Sequence, residues 1–357
     1  MNTSFKIAAA ASVLGLWLLA DISRAAEPLT VVTTTPTLKS LVEAVGGDKV
    51  KVASIGAGDE DPHFIQAKPS FMVLARKADL WVRVGMELEI GYEGLILDGS
   101  RNGKIRVGQP GHLDVSEKVI KLEVPTGKVT RDMGDVHPLG NPHYWLDPLN
   151  GRIMAREIAD RLAQLDPNDA AAFAQNYKAF EKALDERMFG PELVATLGGD
   201  KLWALQLRHQ LLPYLDESKL RGKLGGWQAA MLPLAGQSII TQHKSWGYFT
   251  NRFGLSVAGE LEPKPGIPPT AAHLAETIEL IKRNGIKVIL LEPFYERKAA
   301  DNVRQKTGAK VVVCASAVGG QKEATDYLAL MDLIVNKLSD ALGAPAARAT
   351  ASQATLR

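Results

Sequence analysis

Hydrophobic and polar positions along this chain switch between two periods in a repeating order. Leu29 to Thr33 is β-branched and apolar, Pro36 follows, and Leu38 to Val45 carries helical spacing that ends at Gly46 and Gly47. That order predicts a strand and then a helix. Val50 to Ile55 reads as a second strand leading into the loop GAGDEDPHF, Pro69 to Lys77 as a helix, and Leu80 to Val84 as a third strand. Lys104 to Val107 is expected to add another strand, and the Gly- and Pro-containing stretch 108–142 to be mostly irregular. Strands alternating with helices imply a parallel sheet.

At Asp147 and Pro148 the chain shows a helix N-cap followed by proline at the first helical position, where a missing backbone donor costs nothing. Met154, Ile158, Leu162 and Leu165 then fall on one helical face, Asp166 and Pro167 repeat the cap, and Phe173, Tyr177, Phe180, Leu184 and Met188 continue the stripe. The expectation is two tandem helices or one long kinked helix, with the stripe packed in the core. Between 190 and 236, Trp203, His209, Trp227 and several leucines are scattered among glycines without a sustained period, so this segment reads as an insertion. Order returns with a strand at Ser238 to Thr241 and a helix at Trp246 to Phe253. Val257 to Leu261, Ala271 to Lys282, Val288 to Leu291, Arg297 to Lys306 and Val311 to Cys314 then alternate as strand and helix, and a last helix runs from about Thr325 to Leu342. The predicted fold class is α/β, with two lobes that each carry a mostly parallel sheet flanked by helices.

The first residues change the picture of where this protein works. Lys6 precedes an apolar run from Ile7 to Ala20, and small residues follow at Ser23, Ala25 and Ala26. This is the pattern of a cleavable secretory signal, and the run is shorter than the ~20 residues a stable membrane span needs. The expected division is a signal segment 1–26, an N-terminal lobe 27–147, connecting helix or helices 148–189, the insertion 190–236, a C-terminal lobe 237–343 and a disordered tail 344–357. No cysteine lies near the cleavage site to carry a lipid. Cleavage lowers the formal charge from +2 to +1, which does not point to nucleic acid as a partner. Cys314 is the only cysteine and sits in the apolar run VVVCA, where it reads as a buried core thiol rather than a metal ligand.

Among seven histidines, His63, His143 and His243 each lie in a loop that leaves a predicted strand or enters a predicted helix. In open α/β sheets the carboxyl ends of the strands form the ligand crevice, so His63 and His243 can converge there. Imidazole is the commonest metal ligand, and zinc takes four ligands drawn from nitrogen, sulfur and carboxylate oxygen. Glu292 ends the apolar strand KVILL, where a charge is costly unless paired or coordinated, and is the first candidate for a fourth ligand. Asp61, Glu60 and a water compete with it. His112, His209 and His273 read as surface or hydrogen-bonded residues, whereas His137 lies six residues before His143 and is closer to the candidates.

The segments DPHFIQAKPSFMVLARKADLWVRVGMELE, NPHYWLDP and TQHKSWGYFTNRFGL together resemble the three ligand segments of the substrate-binding proteins of zinc and manganese ABC importers. The resemblance runs from Leu29 to about Leu342 and puts His63, His143 and His243 at metal positions. It implies two lobes joined by a long rigid connecting helix, metal held between them, limited closure on binding, and Glu262 as a lobe-packing or hinge residue. Where the family carries a fourth-ligand aspartate, this chain reads Ala315 and Ser316, and residues 114–136 contain none of the histidines of the family's histidine-rich loop.

The implied function is a non-enzymatic, monomeric periplasmic protein that captures a divalent transition metal and delivers it to an ABC permease. Three imidazoles and a carboxylate favour Zn2+, with Mn2+ as the alternative because manganese prefers more oxygen, and with iron or copper behind it. A secreted zinc hydrolase using Glu60 or Asp61 as base, or a metal-binding adhesin, are the rival classes; the HExxH helix of many zinc hydrolases is absent.

Overall fold

The protein is described by a computed structural model, which covers residues 27–130 and 133–343; the predicted signal segment and tail lie outside them. Its two sheets are built alike. β1 (Leu29–Thr33), β2 (Val50–Ser54), β3 (Leu80–Arg83) and β4 (His112–Asp114) form one in the order β2-β1-β3-β4, with every pairing parallel. β5 (Ser238–Thr241), β6 (Ser256–Glu260), β7 (Val288–Leu291) and β8 (Lys310–Val313) form the other in the order β6-β5-β7-β8, again all parallel. Each sheet reverses its winding at its first strand, and a crevice opens beyond the carboxyl ends at such a point.

One strand expectation is overturned. Lys104 to Val107 forms no strand: Gly103–Ile105 is a single 3-10 turn, begun by the Asn102 side chain accepting from the Lys104 N–H at 3.0 Å. Side-chain capping offers the backbone an alternative to the ladder. Gly108 then takes a left-handed φ of 85°, and β4 begins only after it, inside the stretch expected to be irregular.

Alternation along the strands divides the apolar residues into three cores. Val31, Leu80, Val82, Ile239, Val288 and Leu290 face one continuous core shared by both sheets. Val32 and Trp81 face the opposite side of the first sheet, and Ile240, Ile289 and Leu291 that of the second. The outer face of the first sheet is covered by α2 (Pro69–Lys77) and α3 (Glu93–Ser100), that of the second by α11 (Ala271–Asn284) and α12 (Lys298–Thr307). Between them lie α1 (Pro36–Gly46), α4 (Pro148–Leu165), α5 (Ala170–Phe189) and α13 (Tyr327–Leu342), all contributing to the shared core. A close-packed core that runs through both lobes resists their rigid-body opening.

The connector is two helices. The Asp166 side chain accepts from Asn168 N–H at 3.2 Å and opens a 3-10 turn at Pro167–Asp169, after which α5 folds back along α4. Arg152 near the start of α4 meets Glu181 and Asp185 near the end of α5, and the Arg156 guanidinium lies over the Tyr177 ring, so the pair is an antiparallel hairpin. The segment 190–236 is helical as well. α6 (Pro191–Leu197), α7 (Gly199–Leu207), α8 (Leu211–Glu217) and α9 (Gly226–Met231) lay Leu193, Leu202, Trp203, Leu215, Trp227 and Met231 into the shared core. Helices this short cannot display a sustained apolar period, which is why the sequence pattern did not reveal them. α10 (Gly247–Phe253) completes the second lobe.

Candidate metal centre

Two of the three predicted histidines are set by the same local device. In Asp61-Pro62-His63 the Asp61 Oδ1 accepts both the His63 backbone N–H at 3.0 Å and the ring Nδ1–H at 2.8 Å. In Asn141-Pro142-His143 the Asn141 Oδ1 accepts the His143 backbone N–H at 2.9 Å and its Nδ1–H at 2.8 Å. An Asx side chain bonding the backbone two residues on makes a tight turn, and proline between them pre-sets φ. The turn and the imidazole are therefore fixed together. His243, two residues beyond the end of β5, lacks such a neighbour; its Nδ1–H goes to Glu262 Oε2 at 2.8 Å, and Glu262 is held by the Gly266 N–H at 2.9 Å.

Each ring thus commits Nδ1 to an oxygen and leaves Nε2 to ligate, the arrangement that fixes tautomer and orientation in metal sites. Ligand atoms of His63, His143 and His243 all lie within 4.8 Å of one another. Ring centroids are 5.1 Å apart for His63 and His143 and 5.4 Å for each pair with His243. The three line a small cavity of about 20 Å³, room for one ion or water.

Several contacts tie this cavity to the frame. Asp147 caps α4 by accepting from Leu149 N–H at 2.9 Å and forms a buried bidentate pair with Arg252 of α10 at 2.8 and 2.6 Å. Losing one partner of such a pair costs on the order of 3–5 kcal/mol, so the start of α4 beside His143 is firmly anchored to the second lobe. Trp145 Nε1 donates to the Ser316 carbonyl at 2.7 Å and Val318 N–H to Thr37 Oγ1 at 3.2 Å, closing the cavity across the lobes. Tyr295 packs against the His243 ring and its hydroxyl donates to Asp61 Oδ2 at 3.3 Å.

Electrostatics separate the histidines. Burial, reinforced by the neighbouring imidazoles, holds His143 well below the ordinary histidine range. Burial acts the same way on His243, but the hydrogen bond and charge of Glu262 outweigh it and raise its pKa. Burial would raise Asp61, yet its hydrogen bonds and proximity to His63 bring it below the usual carboxylate range. Cys314 is buried and pushed up to about 12, as suits an inert core thiol.

Glu292 stands apart from the three histidines. Its carboxylate is fully buried, Oε1 accepts from Trp246 Nε1 at 3.0 Å while Oε2 has no hydrogen-bond partner among the described residues, and it belongs to no ligand group with them. Burial raises it to about 7. Glu60 Oε1 accepts from Ala57 N–H at 2.7 Å, and Ser316 meets Trp145 through its backbone. Glu262, expected as a lobe-packing or hinge residue rather than a ligand, accepts the His243 Nδ1–H and so orients that ring. His112 bonds Glu93 at 3.1 Å and His273 the Glu260 carbonyl at 2.9 Å, in keeping with hydrogen-bonded roles. The repeated Asx-Pro-His triplet was present in the sequence as the signal for Asp61 and Asn141; nothing near His243 pointed to Glu262.

Among proteins of known kind, the high-affinity zinc uptake system protein ZnuA of Brucella abortus is 29% identical over 201 residues, which are 56% of this chain and 49% of that protein. The chain thus spans about half the length of that relative. The iron-binding protein YfeA of Yersinia pestis is 24% identical over 95% of both chains, and the manganese ABC transporter substrate-binding lipoprotein PsaA of Streptococcus pneumoniae 23% identical over 88% of this chain and 90% of its own. A crystal structure of ZnuA superposes with a TM-score of 0.65 at 21% identity, over 88% of this chain and all of that one. The manganese-bound periplasmic metal-binding protein of Candidatus Liberibacter asiaticus gives 0.61 at 19% identity, covering 88% and 99%. Both share the fold. The family model described as ZnuA, zinc-uptake complex component A periplasmic, matches residues 31–188 and 226–341, leaving out most of the helical insertion. With its two four-stranded parallel lobes, this chain belongs to the ZnuA family of periplasmic zinc-uptake components.

Proposed function

We propose that the protein captures a divalent transition metal, zinc foremost, on His63, His143 and His243 in the periplasm and delivers it to an ABC permease. The observation that carries this reading is the convergence of three imidazoles from separate segments, each with Nδ1 already bound to an oxygen. Orientation before the metal arrives removes an ordering cost from binding. Three nitrogen ligands suit zinc better than manganese, which favours oxygen, although relatives named for zinc, manganese and iron all support metal capture as the common theme. The chain's affiliation with a periplasmic uptake family supports export through the predicted signal and a partner permease.

Glu60 and Asp61 would be the bases for a hydrolase, and they are engaged by Ala57 N–H and by His63. This commitment suits capture and release rather than hydrolysis. Glu60 and Asp61 line the cavity beside the three histidines, and Glu292 is read here as support for Trp246, whose Nε1 donates to it. Calorimetric titration with zinc tests the assignment: one ion per chain is expected, with binding severely weakened in His63→Ala, His143→Ala and His243→Ala. Undiminished affinity in all three variants would refute it.

A further inference from the structure

We propose that the protein holds its metal together with a small amino-acid chelator, whose carboxylate is received by the second lobe and whose side-chain donor completes the coordination of the ion. The inference deepens the three-histidine reading and rests on it. Three imidazoles satisfy three of the four positions of tetrahedral zinc. Among the described residues no carboxylate joins His63, His143 and His243 to make a ligand group of four. The nearby acids are engaged elsewhere. Asp61 Oδ1 holds the His63 backbone and ring, its Oδ2 accepts from Tyr295, and Glu262 Oε2 holds His243 and Gly266. A donor from outside the chain therefore has a place.

A cavity of the size such a molecule needs adjoins the histidines. It measures about 650 Å³, within the ~300–1,000 Å³ range of small-molecule sites. His63 and His243 line both it and the small cavity of the three imidazoles. Another of its walls is the first turn of α12, with Lys298 and Asn302. No side chain caps this helix, and the Asp301 N–H, bonded to the Arg297 carbonyl at 2.8 Å, is the first to enter its ladder. The N–H groups ahead of it are left at the positive end of the helix, where a carboxylate is stabilised. The Lys298 ammonium adds a full charge and makes no ion pair among the described residues.

Gln242 is the independent sign of a ligand. It continues β5, with its N–H bonded to the Leu290 carbonyl at 2.9 Å, and so shares a face with Ile240 two residues earlier. Ile240 packs in one core with Ala300 and Val303 of α12, so Gln242 faces that helix from the sheet and lines the same cavity. It is only 5% exposed, and its Oε1 has no hydrogen-bond partner among the described residues. A buried amide oxygen is costly unless something donates to it. An amino acid answers each group: its amine donates to Gln242 Oε1, its carboxylate meets α12 and Lys298, and a side-chain nitrogen or sulfur reaches the ion. A polycarboxylate does not, because Asp135 and Glu296 line the cavity too and repel a second negative charge.

Equilibrium dialysis of radiolabelled L-histidine against the full protein, with and without one equivalent of zinc, reads the complex. One L-histidine per zinc-loaded chain is expected, bound at least about tenfold more tightly than by the zinc-free chain. Histamine, which lacks only the carboxylate, should compete at least about tenfold more weakly, the loss of a charge-assisted contact. Lys298→Ala and Gln242→Leu should each weaken L-histidine by about tenfold, while zinc affinity measured without it stays within about threefold of the parent. No L-histidine on the zinc-loaded protein would overturn the proposal. So would equal retention with and without zinc, equal competition by histamine, displacement by equimolar citrate, or parental retention in both variants. Failure of the inner site shows separately, as unchanged zinc affinity in His143→Ala, and overturns both readings.

Discussion

The first lobe and the second lobe share a strand order but hold their histidines by different means. His63 and His143, from the first lobe and its exit toward α4, are each fixed by an Asx residue two positions earlier. His243, from the second lobe, depends on a carboxylate 19 residues further along, in a loop rich in proline. The local device stores orientation within a single turn. The long-range one makes orientation depend on how β5 and the loop after β6 sit together, and that makes His243 the part of the site most open to adjustment. Its basicity is raised, because its acceptor is a buried anion.

The largest effect expected is from removing a ring. His143→Ala should weaken zinc binding by more than about 100-fold, the upper range for disturbing a residue that merely supports a ligand. Calorimetry with a competing chelator reads it directly. Next comes the long-range support: Glu262→Ala should cost about 10–100-fold by the same measurement, since His243 loses both its tautomer and its direction. Asp61→Asn, in contrast, should cost less than about tenfold, because Asn141 already shows a neutral amide holding an imidazole in the same geometry. Equal losses from Glu262→Ala and Asp61→Asn would erase the distinction between the lobes.

Acid should expose the same asymmetry. A ligating imidazole must be neutral, and His243 has its pKa raised above the ordinary 6.5 while His143 is held well below it. Zinc affinity should therefore begin to fall as pH drops through a point above 6.5, with His143 adding its loss only at more acidic pH. Glu262→Gln removes the charge that raises His243, so the upper step should move to lower pH. A step left in place by this substitution would show that another group governs it.

The smallest effect is expected from Glu292. Glu292→Gln should leave zinc affinity within about threefold of the parent, a change under about 0.7 kcal/mol. Its folded pKa of about 7 lies above the ordinary 4.5, so the stability it contributes is complete below about 4.5 and is lost as pH rises through about 7. Glutamine stays neutral, and the variant should thus melt higher than the parent at pH 8, as differential scanning calorimetry can determine. A large loss of zinc from this variant would restore Glu292 as a ligand.

Both the sheets and the three histidines were legible because strand periodicity and loop position are local properties. Leu29–Thr33, Pro69–Lys77, Ser238–Thr241 and Val288–Leu291 coincide with their predicted bounds. What escaped depended on contacts between distant residues. The reversal at Asp166 and Pro167 was visible as a repeated cap, yet a cap does not say whether the next helix runs on or folds back; the meeting of Arg152 with Glu181 and Asp185 decides that. Lys104 misled because a run of four residues carries too little alternation to outweigh an Asn102 cap. Glu292 shows how far buried charge alone carries: its Oε1 is met by Trp246 and its Oε2 by no hydrogen-bond partner among the described residues, and neither arrangement was written in the sequence.

X-ray absorption at the zinc edge of the fully loaded protein tests the central claim most directly. The account predicts a shell of nitrogen and oxygen only, with zinc–nitrogen distances of about 2.0–2.1 Å and the outer-shell scattering of at least three imidazoles, one of which is lost in His143→Ala. A sulfur shell near about 2.3 Å, or a spectrum with fewer than three imidazoles that His143→Ala leaves unchanged, would contradict it.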